Sequence, residues 1–297
     1  MKQYLGKLGL VACALAMLTF FSACEKEAVD QNGSNTTAVL DTDKDVREYG
    51  KLTESQENEI LEHFNTRQVN TDIAEEVVVE RPDGTVETVY MVDGDIEMNR
   101  QQYQEFLTDQ DTDGRQYHTN ALVSQGRTIR VIGYTGSGFA LTSRMRTGLQ
   151  WAINNYNALG SQFSLNFTLS FSASTNADIV VYNNGQPGGG GSAGFPSGGR
   201  PYKWVQIRAG LQSYSTNVNE HVICHEVGHC IGMRHTAYFS RQSCGQNTNE
   251  GSGGVGANHI SGTPTGYDAN SLMLACFNNG EDGEFGNYDR IALRAIY

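Results

Sequence analysis

The strongest constraint on this chain is the stretch 225–235, which has the pattern H-E-x-x-H-x-x-G-x-x-H. On a helix, His225 and His229 are four residues apart, so their side chains project from one face, one turn apart. Gly232 lets the backbone turn out of the helix, because glycine tolerates positive φ. That turn brings His235 back toward the other two imidazoles. The pattern therefore predicts a helix, a turn and three converging histidines.

Three imidazoles arranged in this way favour one Zn²⁺ ion with a fourth position open to water, as in catalytic zinc sites. Glu226, beside the first histidine, can lean over the same ion as a general base. The alternative is a helix with surface histidines, but the extended pattern fixes five positions and is specific. The residues thus predict a zinc hydrolase with His225, His229 and His235 as ligands and Glu226 as the base.

The N-terminus reads as an export signal. Lys2 and Lys7 supply positive charge, and residues 8–21 form an apolar run that fits a signal peptide and is too short for a comfortable membrane span. Residues 21–24, Phe-Ser-Ala-Cys, resemble a bacterial lipobox, with Phe where Leu is usual. We expect lipidation of Cys24 and a place in the outer membrane or at the cell surface. The alternative is an ordinary signal peptide cut at nearly the same point, which would give a secreted protein.

Charge divides the remaining chain in two. Residues 25–114 hold 24 Asp and Glu against 7 Lys and Arg, whereas residues 115–297 hold 9 against 12. Such a shift indicates a boundary. The basic residues are scattered, which argues against a nucleic-acid partner. We expect four segments: a signal peptide (1–23), a flexible tether (24–45), an acidic prosegment-like region (46–115) and a catalytic domain (116–297).

A possible Ca²⁺ site lies at this boundary. Residues 109–114 read D-x-D-x-D-G, like the start of an EF-hand loop, but the twelfth position is Asn120 where a bidentate Glu is needed. An exposed acidic linker is the favoured interpretation. A protease could cut there, since Arg115 follows at once.

The cysteines predict disulfides. Cys13 leaves with the signal and Cys24 would carry lipid, so four remain, an even number in an exported protein: Cys224, Cys230, Cys244 and Cys276. Two of these lie six residues apart on the motif helix and point in different directions. We expect each of the two to bond a cysteine in a later loop. A cysteine zinc site is the competing interpretation, but the spacings fit none of the usual patterns.

Hydrophobic periodicity predicts an α+β fold. The region 46–115 has few large apolar residues, so we expect it to pack on the second part. Strands are expected at 77–79 and 86–92 around a turn, and at 128–134, 163–171, 177–182 and 203–207. Helices are expected at 101–107, 141–156, from a cap at 215–217 to about 231, and at 288–297.

Together these features resemble the metzincin zinc metalloproteases. The second matching element is Ser271-Leu272-Met273, where metzincins place a Met-turn under the zinc ligands. More narrowly, the chain resembles the bacterial HEIGH-type metallopeptidases over residues 127–297. Further matches are Ser243-Cys244, 260–264, and the stretch 193–197. The resemblance implies a twisted, mostly parallel sheet over the active-site helix and a small irregular C-terminal subdomain that ends in a helix. Ala275 stands where many metzincins have a tyrosine that can contact the metal or the oxyanion. No tyrosine can play that role from this position here.

A second resemblance concerns latency. Residues 92–96, Val-Asp-Gly-Asp-Ile, are similar to the F-x-G-D motif of astacin-type prosegments, with Val92 in place of Phe. The resemblance implies that Asp95 occupies the open zinc position and keeps a zymogen inactive. The alternative is a plain Gly-Asp turn after a strand. A thiolate ligand is excluded, because no cysteine lies between Cys24 and Cys224.

The predicted activity is zinc-dependent hydrolysis of protein or peptide substrates by a monomer that meets the membrane only through its lipid anchor. An extended substrate would add alongside an exposed strand, for which Ala193, Gly194 and Phe195 are the candidates. Two other functions are considered. One is a surface binding protein on an inactive metzincin scaffold, and the other is a zinc hydrolase of a non-peptide bond.

Overall fold

A computed structural model describes residues 74–108, 117–251 and 254–297. Several predicted features lie outside these ranges: the signal peptide, Cys24, the tether, and the acidic stretch 109–114 with its possible Ca²⁺ site. Within these ranges, no helix combines the length and apolar character that crossing a bilayer requires.

The strands are β1 Ala74–Glu80, β2 Val86–Val92, β3 Ile96–Met98, β4 Tyr117–His118, β5 Thr128–Tyr134, β6 Asn166–Ser172, β7 Ile179–Asn183, β8 Gly191–Ala193, β9 Trp204–Ile207 and β10 Asn258–His259. Eight of them form one sheet in the order β1-β2-β3-β8-β9-β7-β5-β6, while β4 and β10 pair with each other. Strands β9, β7, β5 and the edge strand β6 run parallel, and β8 is antiparallel to β9. The sheet is therefore mixed and mostly parallel, as predicted.

The N-terminal segment, residues 74–108, is part of this sheet. Strands β1 and β2 form the predicted hairpin, in which the Arg81 N–H donates to the Thr85 carbonyl at 2.8 Å and Gly84 adopts a φ of 84°. Strand β3 then pairs antiparallel with β2 and parallel with β8. The segment thus extends the catalytic sheet in addition to packing on it.

Four helices are described: α1 Arg100–Thr108, α2 Ser143–Asn157, α3 Thr216–Cys230 and α4 Asn287–Ile296. Helix α3 carries the histidine motif and begins at Ser215, whose Oγ accepts from the Val218 N–H at 3.2 Å. Every residue from Val218 to Cys230 is buried, which is typical of a helix enclosed on all sides. Helix α2 approaches it closely at Gly148, where a Cβ would lie 2.8 Å from the Glu220 nitrogen.

The main core lies wholly within residues 123–297, between the sheet and helices α2, α3 and α4. Phe163 and Leu165, predicted as strand, precede β6 but still belong to this core. The smaller core of the N-terminal segment includes Phe195 and Val255 from the catalytic part. The segment therefore completes its core on the second part, as its composition predicts.

Helix α4 fixes the far end of the motif helix. The Tyr297 hydroxyl donates to the Ile231 carbonyl and accepts from the Val123 N–H at 3.1 Å. Residues between α3 and α4 are mostly irregular, apart from short helical turns and β10. This is the small irregular C-terminal subdomain that the resemblance implies.

The disulfide prediction is wrong for the motif helix. Cys244 bonds to Cys276, whereas Cys224 and Cys230 are free and fully buried. Because α3 is enclosed on all sides, its two cysteines face the core and pack as small apolar side chains. Burial raises the pKa of both thiols well above the ordinary value.

Candidate metal centre

The three motif histidines converge at the end of α3. The Nε2 atom of His235 lies 3.3 Å from the Nε2 of His225 and 3.3 Å from the Nε2 of His229. In a tetrahedral site with zinc–nitrogen bonds of about 2.0–2.1 Å, ligand nitrogens are roughly 3.3–3.4 Å apart. The spacing of these nitrogens therefore fits one zinc ion. Gly232, with a φ of 102°, makes the turn that returns His235.

The opposite ring nitrogens orient the imidazoles. The Nδ1 of His225 lies 2.9 Å from the Leu272 carbonyl, and that of His229 lies 2.8 Å from the Met233 carbonyl. Both partners only accept hydrogen bonds, so each Nδ1 carries a proton, and each Nε2 would present a lone pair to a bound metal ion. The donor chemistry thus suits a metal ion, which requires unprotonated Nε2 atoms.

Glu250 orients the third histidine, and nothing in the sequence pattern points to it. Its Oε1 lies 2.8 Å from Nδ1 of His235, and both side chains are fully buried. Arg234 and Arg241 approach the same carboxylate at 3.9 and 3.7 Å. Although burial opposes it, the carboxylates of Glu250 and Asp95 raise the pKa of His235 to about 10. The site therefore favours positive charge at this point.

Asp95 lies at the open face of the histidine cluster. Its Oδ2 is 3.2 Å from Nε2 of His225, 3.4 Å from that of His229 and 2.5 Å from that of His235. Together these four groups offer ligand atoms that all lie within 4.8 Å of one another. A backbone turn at Asp93 and Gly94, both with positive φ, projects the side chain inward. The structure thus brings Asp95 to the position that the prosegment resemblance implies.

Glu226 lies beside the cluster, against strand β8. A Cβ at Gly191 would lie 2.8 Å from Oε1 of Glu226, so this glycine makes room for the carboxylate. Burial, followed by the charge of Asp95 and a hydrogen bond with it, raises the pKa of Glu226 well above the ordinary value. Gly191 belongs to a glycine-rich stretch, and no local signal distinguishes it from its neighbours.

Met273 lies under the motif helix. Its sulfur would be 2.7 Å from a Cβ at Gly228, and its carbonyl accepts from the Thr236 N–H at 2.7 Å. Asp289 of α4 holds the turn before it, accepting from the Ser271 hydroxyl at 2.7 Å and the Leu272 N–H at 2.8 Å. The methionine is therefore held against the motif helix at Gly228.

The predicted substrate edge is not exposed in the described chain. Ala193 pairs with Ile96 of β3, and its N–H donates to the Asp95 carbonyl at 3.0 Å. Ala193 and Phe195 are buried, and the Phe195 ring meets His229 edge-on with centroids 5.5 Å apart. A Cβ at Gly194 would lie 2.9 Å from the Glu97 carbonyl. The expectation of a free edge is wrong here, because the N-terminal segment pairs with it.

Several solved structures are similar to this chain. The chain matches myroilysin with 16% identity, 61% of this chain and 98% of that chain covered, and a TM-score of 0.36. It matches high choriolytic enzyme 1, a hatching enzyme zinc-protease from Oryzias latipes, with 14% identity, 59% and 94% coverage, and a TM-score of 0.35. No curated protein matches the sequence.

The family comparison is more informative. The family model described as dual-action HEIGH metallo-peptidase matches residues 89–297, well over half of the chain. The matched region contains the three histidines, Glu226 and Asp95. The chain therefore belongs to the dual-action HEIGH metallo-peptidase family and is a zinc metalloendopeptidase.

Proposed function

We propose that this enzyme is exported, uses Glu226 as its general base, and is made in a latent form that Asp95 maintains. One observation carries the proposal: three Nε2 atoms with zinc-like spacing face the Asp95 carboxylate, with Glu226 alongside. The same histidines would hold the catalytic zinc ion. A zinc ion in this site would supply Lewis acidity toward a water molecule and the scissile carbonyl.

The protein side chains would handle the proton and the substrate. Glu226 takes a proton from the attacking water and passes it to the leaving amine. The Ala193 N–H, which donates to the Asp95 carbonyl, would donate in the same way to a substrate strand.

Latency follows from what the N-terminal segment covers. Asp95 fills the fourth position that water needs, and β3 fills the edge of β8 that an extended substrate needs. Both obstacles are carried by the same short stretch, so displacement of that stretch removes both. Proteolysis within 109–115, before the catalytic part begins, is the proposed trigger.

Hydrolysis of an unfolded protein substrate tests the activity. Full-length chain loaded with zinc should be inactive, Asp95→Ala cut within 109–115 should be active because both obstacles are then removed, and a chelator should abolish that activity. Asp93→Ala is a useful control, because this neighbouring carboxylate pairs with Arg241 and does not face all three histidines. A zinc-bound Asp95→Ala chain that shows no hydrolysis after this cut would favour the binding-protein alternative. Turnover of esters but not peptides would favour the non-peptide hydrolase.

Export and lipidation rest on the N-terminal sequence. Mass spectrometry and N-terminal sequencing of the mature protein should find either a lipidated Cys24 or a start between residues 115 and 127. A start in the second range supports removal of the acidic region. An active, intact chain that begins at Cys24 would contradict that removal.

A further inference from the structure

Glu97 follows the zinc-facing aspartate by two residues and is buried in a polar pocket. Its side chain is fully buried, on the face of the sheet opposite α3. Strand alternation places Gln206 and Trp204 on this outer face, while Val205 and Ile207 face the main core. A carboxylate so enclosed requires hydrogen-bond donors around it.

The catalytic part supplies three of these donors. The Ser192 hydroxyl donates to Glu97 Oε1 at 3.0 Å, and the Tyr202 hydroxyl donates to Oε2 at 2.7 Å. The Gln206 side-chain amide also donates to Oε1. Asn184 donates to Oε1 of Gln206 at 3.4 Å, which turns the amide nitrogen toward the carboxylate. The pocket is therefore arranged to accept an anionic oxygen pair.

The other donor belongs to the N-terminal segment itself. Arg81 donates through Nη2 to Glu97 Oε2 at 2.6 Å, and its side chain is fully buried. When the segment leaves, Arg81 and Glu97 leave together. Ser192, Tyr202 and Gln206 stay behind on β8, β9 and the loop between them. Their donors then line the edge of β8 that a substrate must occupy.

We propose that Ser192, Tyr202 and Gln206 form a subsite of the substrate cleft that binds a carboxylate side chain, so that the enzyme prefers substrates with glutamate near the scissile bond. This inference rests on the proposed function, since it requires a substrate strand beside β8. Glu97 lies two residues after Asp95, which faces the histidines, and two residues along a strand span roughly 6.6 Å. The acidic residue of a substrate would therefore lie about two residues from the bond that is cut. Neutral donors facing a carboxylate give charge-assisted hydrogen bonds, which favour glutamate over a neutral side chain.

Peptide hydrolysis by processed enzyme tests the subsite. Residues 109–115 of the full-length chain are replaced by the recognition sequence of a site-specific protease, and the chain is cut after folding and zinc loading. Fluorogenic peptides then carry Glu, Gln, Ala or Lys at each position within three residues of the cleaved bond. At one position, kcat/KM for Glu should exceed that for Gln by about tenfold or more. Equal values at every position would overturn the proposal.

Variants assign the preference to the pocket. Gln206→Leu and, independently, Ser192→Ala should each reduce the Glu/Gln ratio of kcat/KM severalfold. Gln150→Leu, an exposed glutamine on α2, is the matched control and should keep the ratio. A ratio that survives both pocket substitutions would overturn the assignment.

A binding measurement separates this inference from the proposed function. A labelled peptide with the sequence of residues 90–99 is titrated into the processed chain, together with its Glu97→Gln version, by fluorescence anisotropy. The original peptide should bind about tenfold more tightly, and Gln206→Leu should remove the difference. This result holds even if no peptide is cleaved, whereas equal binding of the two peptides would sink the subsite alone.

Discussion

Glu250 offers a sharp test of how the metal centre is built. Replacing it by Gln keeps the shape of the side chain and removes the charge that faces His235. The two side chains are fully buried and 2.8 Å apart, so solvent does not screen the contact. Loss of an orienting partner of a metal ligand typically costs 10- to 100-fold in metal affinity. Because this contact is buried and charged, we expect a loss near the upper limit, about 2–3 kcal/mol.

The assay is competition for zinc between the full-length chain and a chromogenic chelator. Thermal unfolding of the same samples establishes that Glu250→Gln is folded, which matters because the substitution also removes charge near Arg234 and Arg241. Glu220→Gln is the matched control, since Glu220 is a buried acid on the motif helix that bonds Asn155 at 2.9 Å. Its zinc affinity should equal that of the unsubstituted chain. A folded Glu250→Gln chain with unchanged zinc affinity would show that the charge of Glu250 does not contribute to zinc binding.

Three further predictions concern stability. Burial and nearby acidic groups raise the pKa of Glu220 from 4.5 to about 7, so its stabilising protonated form is lost as the pH rises through that range. Chemical unfolding should therefore show Glu220→Gln gaining stability relative to the unsubstituted chain between pH 5 and pH 8, and a constant difference would contradict the shift. Gly228→Ala should lower the free energy of unfolding by about 1–3 kcal/mol, because the added methyl group overpacks against Met273. This loss includes an opposing gain in helix propensity of about 1 kcal/mol. Adding Met273→Ala to the same chain should relieve part of the loss. Replacing Cys244 and Cys276 by Ser should cost roughly 3–4 kcal/mol for a separation of 32 residues, measured by urea unfolding, and no change would exclude the disulfide as a stabilising link.

The local pattern was sufficient to predict the motif helix and its ligands. Four-residue spacing and a glycine at the turn are local properties, and His225, His229 and His235 do converge as that geometry requires. The hairpin around Gly84 is equally local, and so is the helix cap, which was predicted within 215–217 and is Ser215. Such features depend on few neighbours, and tertiary packing did not override them.

Residues that act from a distance in sequence could not be predicted. Glu250 and Asp289 meet the site only after irregular loops fold back on the motif helix, and no spacing rule covers such loops. The cysteine prediction failed because it depended on whether α3 was enclosed. Once the sheet, α2 and α4 surround that helix, Cys224 and Cys230 face the core and not a loop.

The role of the N-terminal segment was only partly predictable. A similarity over residues 92–96 pointed to Asp95, but the pairing of β3 with β8 depends on the whole sheet order. Likewise, Arg81 and Glu97 are sixteen residues apart, and only the hairpin brings them together. The charge composition predicted a boundary after the acidic region. It did not reveal that strands from both sides of this boundary form one sheet.

The most direct test of the central claim compares the unsubstituted enzyme with its Glu226→Gln variant, both processed and loaded with zinc. Zinc content is measured by atomic absorption, and hydrolysis of an unfolded protein substrate is followed in parallel. We predict one zinc ion per chain in both proteins, and a loss of activity of about 10²–10⁴-fold in Glu226→Gln, since general base catalysis contributes that much. Full activity of a zinc-loaded Glu226→Gln chain would contradict the claim.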